Sequence, residues 1–86
     1  MLKDLIAYEK TNQIDLMETL DAYLNENANI IETSDKLFIH RNTLKYRLKK
    51  IENLLNVNLH SLEDCLKLLL AMKAYKIINA MLNNEH

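Results

Sequence analysis

The 86-residue sequence predicts an all-α fold, a bundle of four to five helices closed by a long apolar C-terminal helix. Three observations carry this. Glycine and proline are both absent, whereas β-sandwiches and barrels need tight turns built on those residues. Apolar residues recur at spacings of three and four along most of the chain, the period of a helix with one buried face. The chain is 49% apolar and 27% charged, the balance of a globular domain rather than a disordered one. The missing glycine also excludes a glycine-rich phosphate loop.

With no Gly or Pro as punctuation, Asn, Ser and Thr must mark the helix ends. A short helix is expected over Leu2–Glu9, with Leu2, Leu5 and Ile6 on one side. Thr11 or Asn12 would cap a longer helix reaching about Glu26, in which Leu16, Met17, Leu20, Tyr23 and Leu24 recur at helical spacing. Asn27 and Asn29 break it, and Asn29 can cap a brief helix from Ile30 to Leu37. The chain turns over Phe38-Ile39-His40 and re-enters helix from Arg41 to about Leu55. Asn56 stands where helices end in a left-handed residue, for which Asn is the second choice after Gly. Ser61 then opens the last helix, to about residue 83, with Asp64 three residues on in a capping-box pattern. No segment is long enough to separate two domains, so residues 1–86 are expected to form one.

Charge is distributed unevenly behind a net of −1. Residues 40–51 contain Arg41, Lys45, Arg47, Lys49 and Lys50 with no acid, while residues 1–39 carry a net of −5. In steps of 100° per residue, Leu48, Ile51 and Leu55 fall within about 40° of Leu44, giving one narrow buried stripe. Asn42, Tyr46, Lys49 and Asn53 lie opposite, flanked by Lys45 on one side and Thr43 and Lys50 on the other. Arg41 and Arg47 sit at the boundary. Such a helix suits a major groove, offering polar side chains to base edges and cations to phosphates. Its free N-terminal N–H groups could meet a phosphate, and the His40 ring beside them could do the same or simply cap the helix. Two helices joined by a three-residue turn, the second basic and amphipathic, are the sequence form of a helix-turn-helix over about residues 30–55. Ile39 would be the turn's buried apolar residue and Ser34 the small residue where the helices approach.

The string Ile39-His40-Arg41-Asn42-Thr43-Leu44-Lys45-Tyr46-Arg47-Leu48 resembles the signature of the C-terminal helix-turn-helix domain of PucR-like bacterial regulators, the purine-catabolism and sugar-diacid type. Leu16-Met17-Glu18-Thr19-Leu20-Asp21-Ala22-Tyr23-Leu24 upstream and Ile51-Glu52-Asn53-Leu54-Leu55 downstream extend the likeness to roughly residues 12–75. The family usually has Ala where Ser34 stands and often Gly where Asn56 stands; it often lacks the generic turn glycine, as Phe38 does here. The resemblance implies sequence-specific binding of double-stranded DNA in transcription regulation. It implies Arg41, Asn42, Thr43 and Lys45 as DNA contacts, with Tyr46, Arg47 and Lys49 as further candidates; the cationic stretch adds His40 and Lys50. Members usually carry a sensory region before this domain. The chain is therefore expected to be an isolated output domain from which the effector-sensing region is absent.

From Leu62 to Leu82, fifteen of twenty-one residues are apolar, more than the three in seven that one core face needs. The polar side shifts about half a turn between the half containing Glu63, Asp64 and Lys67 and the half containing Lys73, Lys76 and Asn79. The first half is expected to cover the core through Leu62, Leu66 and Leu69. The second half would turn Ala74, Tyr75, Ile78, Met81 and Leu82 to an interface, with a second copy as the expected partner. A kink, or the Leu2–Ile6 segment, is the alternative cover. A homodimer would set two basic helices about 34 Å apart, for successive major grooves.

Catalysis finds no support. Cys65 is a single cysteine among apolar neighbours, and His40, His60 and His86 lack metal-ligand spacing. The reading is of a non-enzyme with no cofactor and no metal. The longest apolar run is Leu68–Met72, far below the roughly 20 residues of a membrane span, so a soluble cytoplasmic protein is expected. The rival is a helical protein–protein module whose basic face meets an acidic partner.

Overall fold

A computed structural model describes residues 1–83. Its five helices are α1 (Lys3–Asn12), α2 (Leu16–Asn25), α3 (Ile30–Leu37), α4 (Arg41–Leu55) and α5 (Leu62–Asn83). The all-α architecture matches the expectation, and α3 and α4 form the helix-turn-helix. Helix α2 lies at the centre and packs against the other four. Leu5, Leu16, Leu20, Leu44, Ile51 and Leu68 are fully buried there, one or more from every helix except α3. No helix among the described residues is long and apolar enough to cross a membrane.

Local chemistry sets most of the boundaries. Asn29 caps α3, its Oδ1 accepting the Glu32 N–H at 2.9 Å. Phe38 (φ 56°) and Asn56 (φ 54°) end α3 and α4 in the left-handed conformation that releases the chain from a helix. Ser34 is buried at the α3–α4 approach, and its hydroxyl donates to the Ile31 carbonyl at 2.9 Å. Ile39 is half-buried against the core. Ser61 Oγ accepts the Asp64 N–H at 3.2 Å, half of a capping box. The Asp64 carboxylate completes no reciprocal bond; it accepts the Asn58 N–H at 2.8 Å.

Two expectations are corrected. Thr11 and Asn12 do not cap α2; they are the last residues of α1. Their side chains donate back to the Ala7 and Tyr8 carbonyls, and Gln13 (φ 55°) ends the helix. Asp15 takes the N-cap position of α2. The second correction concerns α5. Leu62 and Leu66 are exposed, at 85% and 54%, and Leu69 only borders the core. The inward residues are Leu68 and Met72, four residues apart, with Lys76 one turn further on at the surface. Leu68 and Met72 are buried, and Lys76 Nζ meets Asp21 Oδ2 of α2 at 2.7 Å. Lys76 is exposed, and its ion pair with Asp21 ties the surface of α5 to α2. The first half of α5 therefore meets the core chiefly through Leu68 and Met72, not Leu62 and Leu66, while in the second half Ala74, Ile78, Met81 and Leu82 are exposed and Tyr75 is half-buried.

The α4–α5 loop is fixed through one residue. Leu59 is buried; its N–H donates to Glu52 Oε2 at 2.8 Å, and its carbonyl accepts both Tyr23 Oη–H and the Cys65 thiol at 3.2 Å. Burial pushes the Tyr23 hydroxyl pKa above its ordinary value, with Cys65 and Glu52 adding to the rise. Burial likewise raises the Cys65 thiol, reinforced by Asp64 and Glu52.

Candidate nucleic-acid interface

Helix α4 is held from behind by Leu44, Leu48 and Ile51, all buried. This stripe leaves the opposite side uncovered: Asn42, Tyr46, Lys49 and Asn53 are exposed, Tyr46 at 60%. Arg41, Thr43 and Lys45 are exposed as well. Lys45, Lys49 and Asn53 line one wall of an open cleft of about 710 Å³, with His60 of the following loop on the other. Glu52, the single acid of α4, is half-buried and tied to the Leu59 N–H. The exposed face therefore has cations and amides and no free carboxylate.

The five cations of this segment divide into two groups. Arg41, Lys45 and Lys49 are exposed and form no ion pair among the described residues. Arg47 is half-buried, and its Nη1 donates to Thr19 Oγ1 of α2 at 3.3 Å. Lys50 is half-buried with Nζ 5.2 Å from the centre of the Tyr8 ring of α1, within the range of a cation–π contact. Arg47 and Lys50 thus anchor α4 to α2 and α1. Sequence periodicity put Arg47 at the boundary and Lys50 on the flank; their partners lie far away in the chain, where no local pattern reports them.

At the N-terminus of α4, His40 Nδ1 accepts the Asn42 N–H at 3.0 Å. The bond requires that nitrogen to be unprotonated and makes His40 the cap, so its ring is engaged while its side chain stays exposed. Of the other histidines, His60 is exposed in the loop and His86 lies outside the described residues. Asn53 shares the open face and was not among the expected contacts, although the same periodicity placed it there.

The match to known proteins follows this unit. The family model of the PucR C-terminal helix-turn-helix domain matches residues 16–74, from the start of α2 into α5. The chain belongs to this family. It is 36% identical over 74 residues to a purine catabolism regulatory protein of Bacillus subtilis, covering 86% of this chain and 14% of that protein. It is 43% identical over 58 residues to a carbohydrate diacid regulator of Escherichia coli, covering 67% of this chain and 15% of that protein. The Bacillus subtilis DNA-binding transcriptional activator AdeR is 32% identical over 72 residues, covering 84% of this chain and 17% of that protein. The chain spans about a seventh of the length of these curated relatives. No solved structure matches it. The PucR-type match begins at Leu16, so α1 lies outside the matched region although Tyr8 on it braces α4.

Proposed function

We propose that this domain binds double-stranded DNA sequence-specifically, as the output domain of a bacterial PucR-type transcriptional regulator working in the cytoplasm. Helix α4 enters the major groove. Arg41, Lys45 and Lys49 neutralise phosphates on its flanks, while Asn42 and Thr43, on its first turn, meet base edges, with Tyr46 beside them. Arg47 and Lys50 act by fixing the helix. His40 shapes the N-terminus, where the unpaired N–H groups of the first turn suit a phosphate. Two copies joined through α5 would present two recognition helices to a near-palindromic site.

One observation carries this reading: the cationic, amide-bearing face of α4 is uncovered while its opposite stripe is fully buried. The relatives named as regulators, one as a DNA-binding activator, support it. The test is selection of bound duplexes from a random pool, followed by footprinting of the enriched sequence. Enrichment of one site is expected, and Asn42→Ala should erase about 1–3 kcal/mol of preference at one base pair. A pool that emerges unenriched, with no salt-sensitive binding to any duplex, would instead favour the protein–protein module.

A further inference from the structure

The open face of α4 leaves the distal part of α5 without a role. From Lys73 to Asn83 every residue except Tyr75 is exposed, including Ile78 at 55% and Met81 at 62%. Of the other helices, only α2 comes within 8 Å of α5, Cα to Cα, and the Lys76–Asp21 ion pair is its last tie. The segment beyond continues the 22-residue α5 past its last contact with α2. Its side chains are mostly apolar. Just before it, along Ala71, Ala74 and Ile78 of α5, runs a groove of about 660 Å³ whose other wall is Leu2, Ile6 and Ala7 with Lys3 and Lys10.

We propose that α5 pairs antiparallel with α5 of a second copy about a two-fold axis near Ala74–Ile78, each distal segment lying along the other copy's α1–α5 groove. Segment and groove are contiguous, so an antiparallel crossing at that point sets residues beyond the axis in one copy against the groove before it in the other. A two-fold interface requires a self-complementary surface, and here an apolar segment and a mostly apolar groove lie on the same face. Groove and distal segment together approach the roughly 20 residues per side of a stable interface. The lining is mostly apolar, with Lys3 and Lys10 its two cations, which suits an apolar helix face of a second copy better than a phosphate backbone. The pairing brings α1, outside the family-matched region, into the assembly. It rests on the DNA-binding reading only for its consequence, two recognition helices held in one particle.

Sedimentation equilibrium without DNA, from micromolar to millimolar chain, tests the pairing. A monomer–dimer equilibrium is expected. Ile78→Asp on the segment and Ala7→Arg on α1 should each weaken it at least about tenfold, while Leu66→Asp, on the exposed row of α5 away from the groove, should not. Both key positions have exposed side chains, and circular dichroism checks that each variant stays folded. A monomer at every concentration overturns the proposal. So does a dimer that survives Ile78→Asp and Ala7→Arg and is lost in Leu66→Asp. Titration of the same proteins with duplex separates the two ideas: dimers that ignore DNA remove the DNA reading and leave the pairing, and monomers that bind DNA do the reverse.

Discussion

The division of cations on α4 makes a quantitative prediction about salt. Each phosphate neutralised on a duplex lowers the slope of log K against log salt by about 0.9. Three free cations, Arg41, Lys45 and Lys49, give a slope near −2.7 per bound copy, whereas all five would give about −4.5. Raising salt from about 50 to 200 mM should then weaken binding about fortyfold with three contacts, against about five-hundredfold with five. Fluorescence anisotropy on a short random-sequence duplex that seats one copy measures the slope directly. Lys49→Ala should reduce its magnitude by about 0.9 and leave stability unchanged, since Lys49 forms no ion pair among the described residues. Arg47→Ala should do the opposite: the Thr19 bond at 3.3 Å is lost, at about 1 kcal/mol, while the slope holds. That loss corresponds to a fall of about 4–8 °C in Tm for a domain of this size. A drop of 0.9 in slope for Arg47→Ala at unchanged Tm would refute the division, and an unchanged slope for Lys49→Ala would refute the open face as the contact.

Three further outcomes follow from the packing. Phe38 is left-handed and 94% exposed, so Phe38→Asn loses no burial and relieves part of a penalty of about 1–2 kcal/mol; a rise of several degrees in Tm by calorimetry is expected, and a fall would mean that Phe38 packs against something. The half-buried Cys65 thiol has a pKa raised above its ordinary value, so less thiolate forms at a given pH. Its iodoacetamide alkylation should reach half-rate at higher pH than in the urea-unfolded chain, and a midpoint at or below the unfolded one contradicts the packing. Leu44→Ala empties a fully buried site behind the basic face, at a cost of about 2–5 kcal/mol; urea unfolding should show much of the domain's stability gone, and a loss under about 1 kcal/mol would place Leu44 outside the core.

The helix-turn-helix was legible because its limits are local. Asn29 and Asn56 act within a few residues of themselves, through a cap and a left-handed angle, and the sequence carries those signals directly; the left-handed angle of Phe38 is not announced by its residue type. The α1–α2 junction was not legible, because its break is Gln13, a residue with no marked preference for the left-handed region. Thr11 and Asn12, which read as caps, instead donate backward along α1. The facing of α5 failed for another reason. The many apolar residues of α5 offer more than one possible core side, and Leu68 and Met72 take it while Leu62 and Leu66 stay exposed. The candidate site divides along the same line. Exposure of Asn42, Tyr46 and Lys49 follows from the buried stripe and the helical period. Withdrawal of Arg47 and Lys50 depends on Thr19 and Tyr8, which only the tertiary structure brings near.

The absence of glycine connects the fold to the proposed assembly. Five non-glycine residues, Gln13, Asn27, Ala28, Phe38 and Asn56, have positive φ. At about 1–2 kcal/mol each, less for Asn, they together cost a sizeable part of the roughly 5–15 kcal/mol that holds a domain folded. A domain of this length also buries a smaller fraction of its surface than a larger one. Exposed apolar groups on distal α5 add nothing to the stability of a single copy. Any partner that binds only the folded state raises stability by mass action, about 2.7 kcal/mol at a hundred times its Kd. Pairing through α5 would therefore offset backbone strain that a lone copy carries uncompensated. Under this reasoning the Tm of the chain rises with its concentration, and that rise disappears in Ile78→Asp. A concentration-independent Tm in the parent chain would show that the single copy bears the strain alone and that α5 contributes nothing between copies.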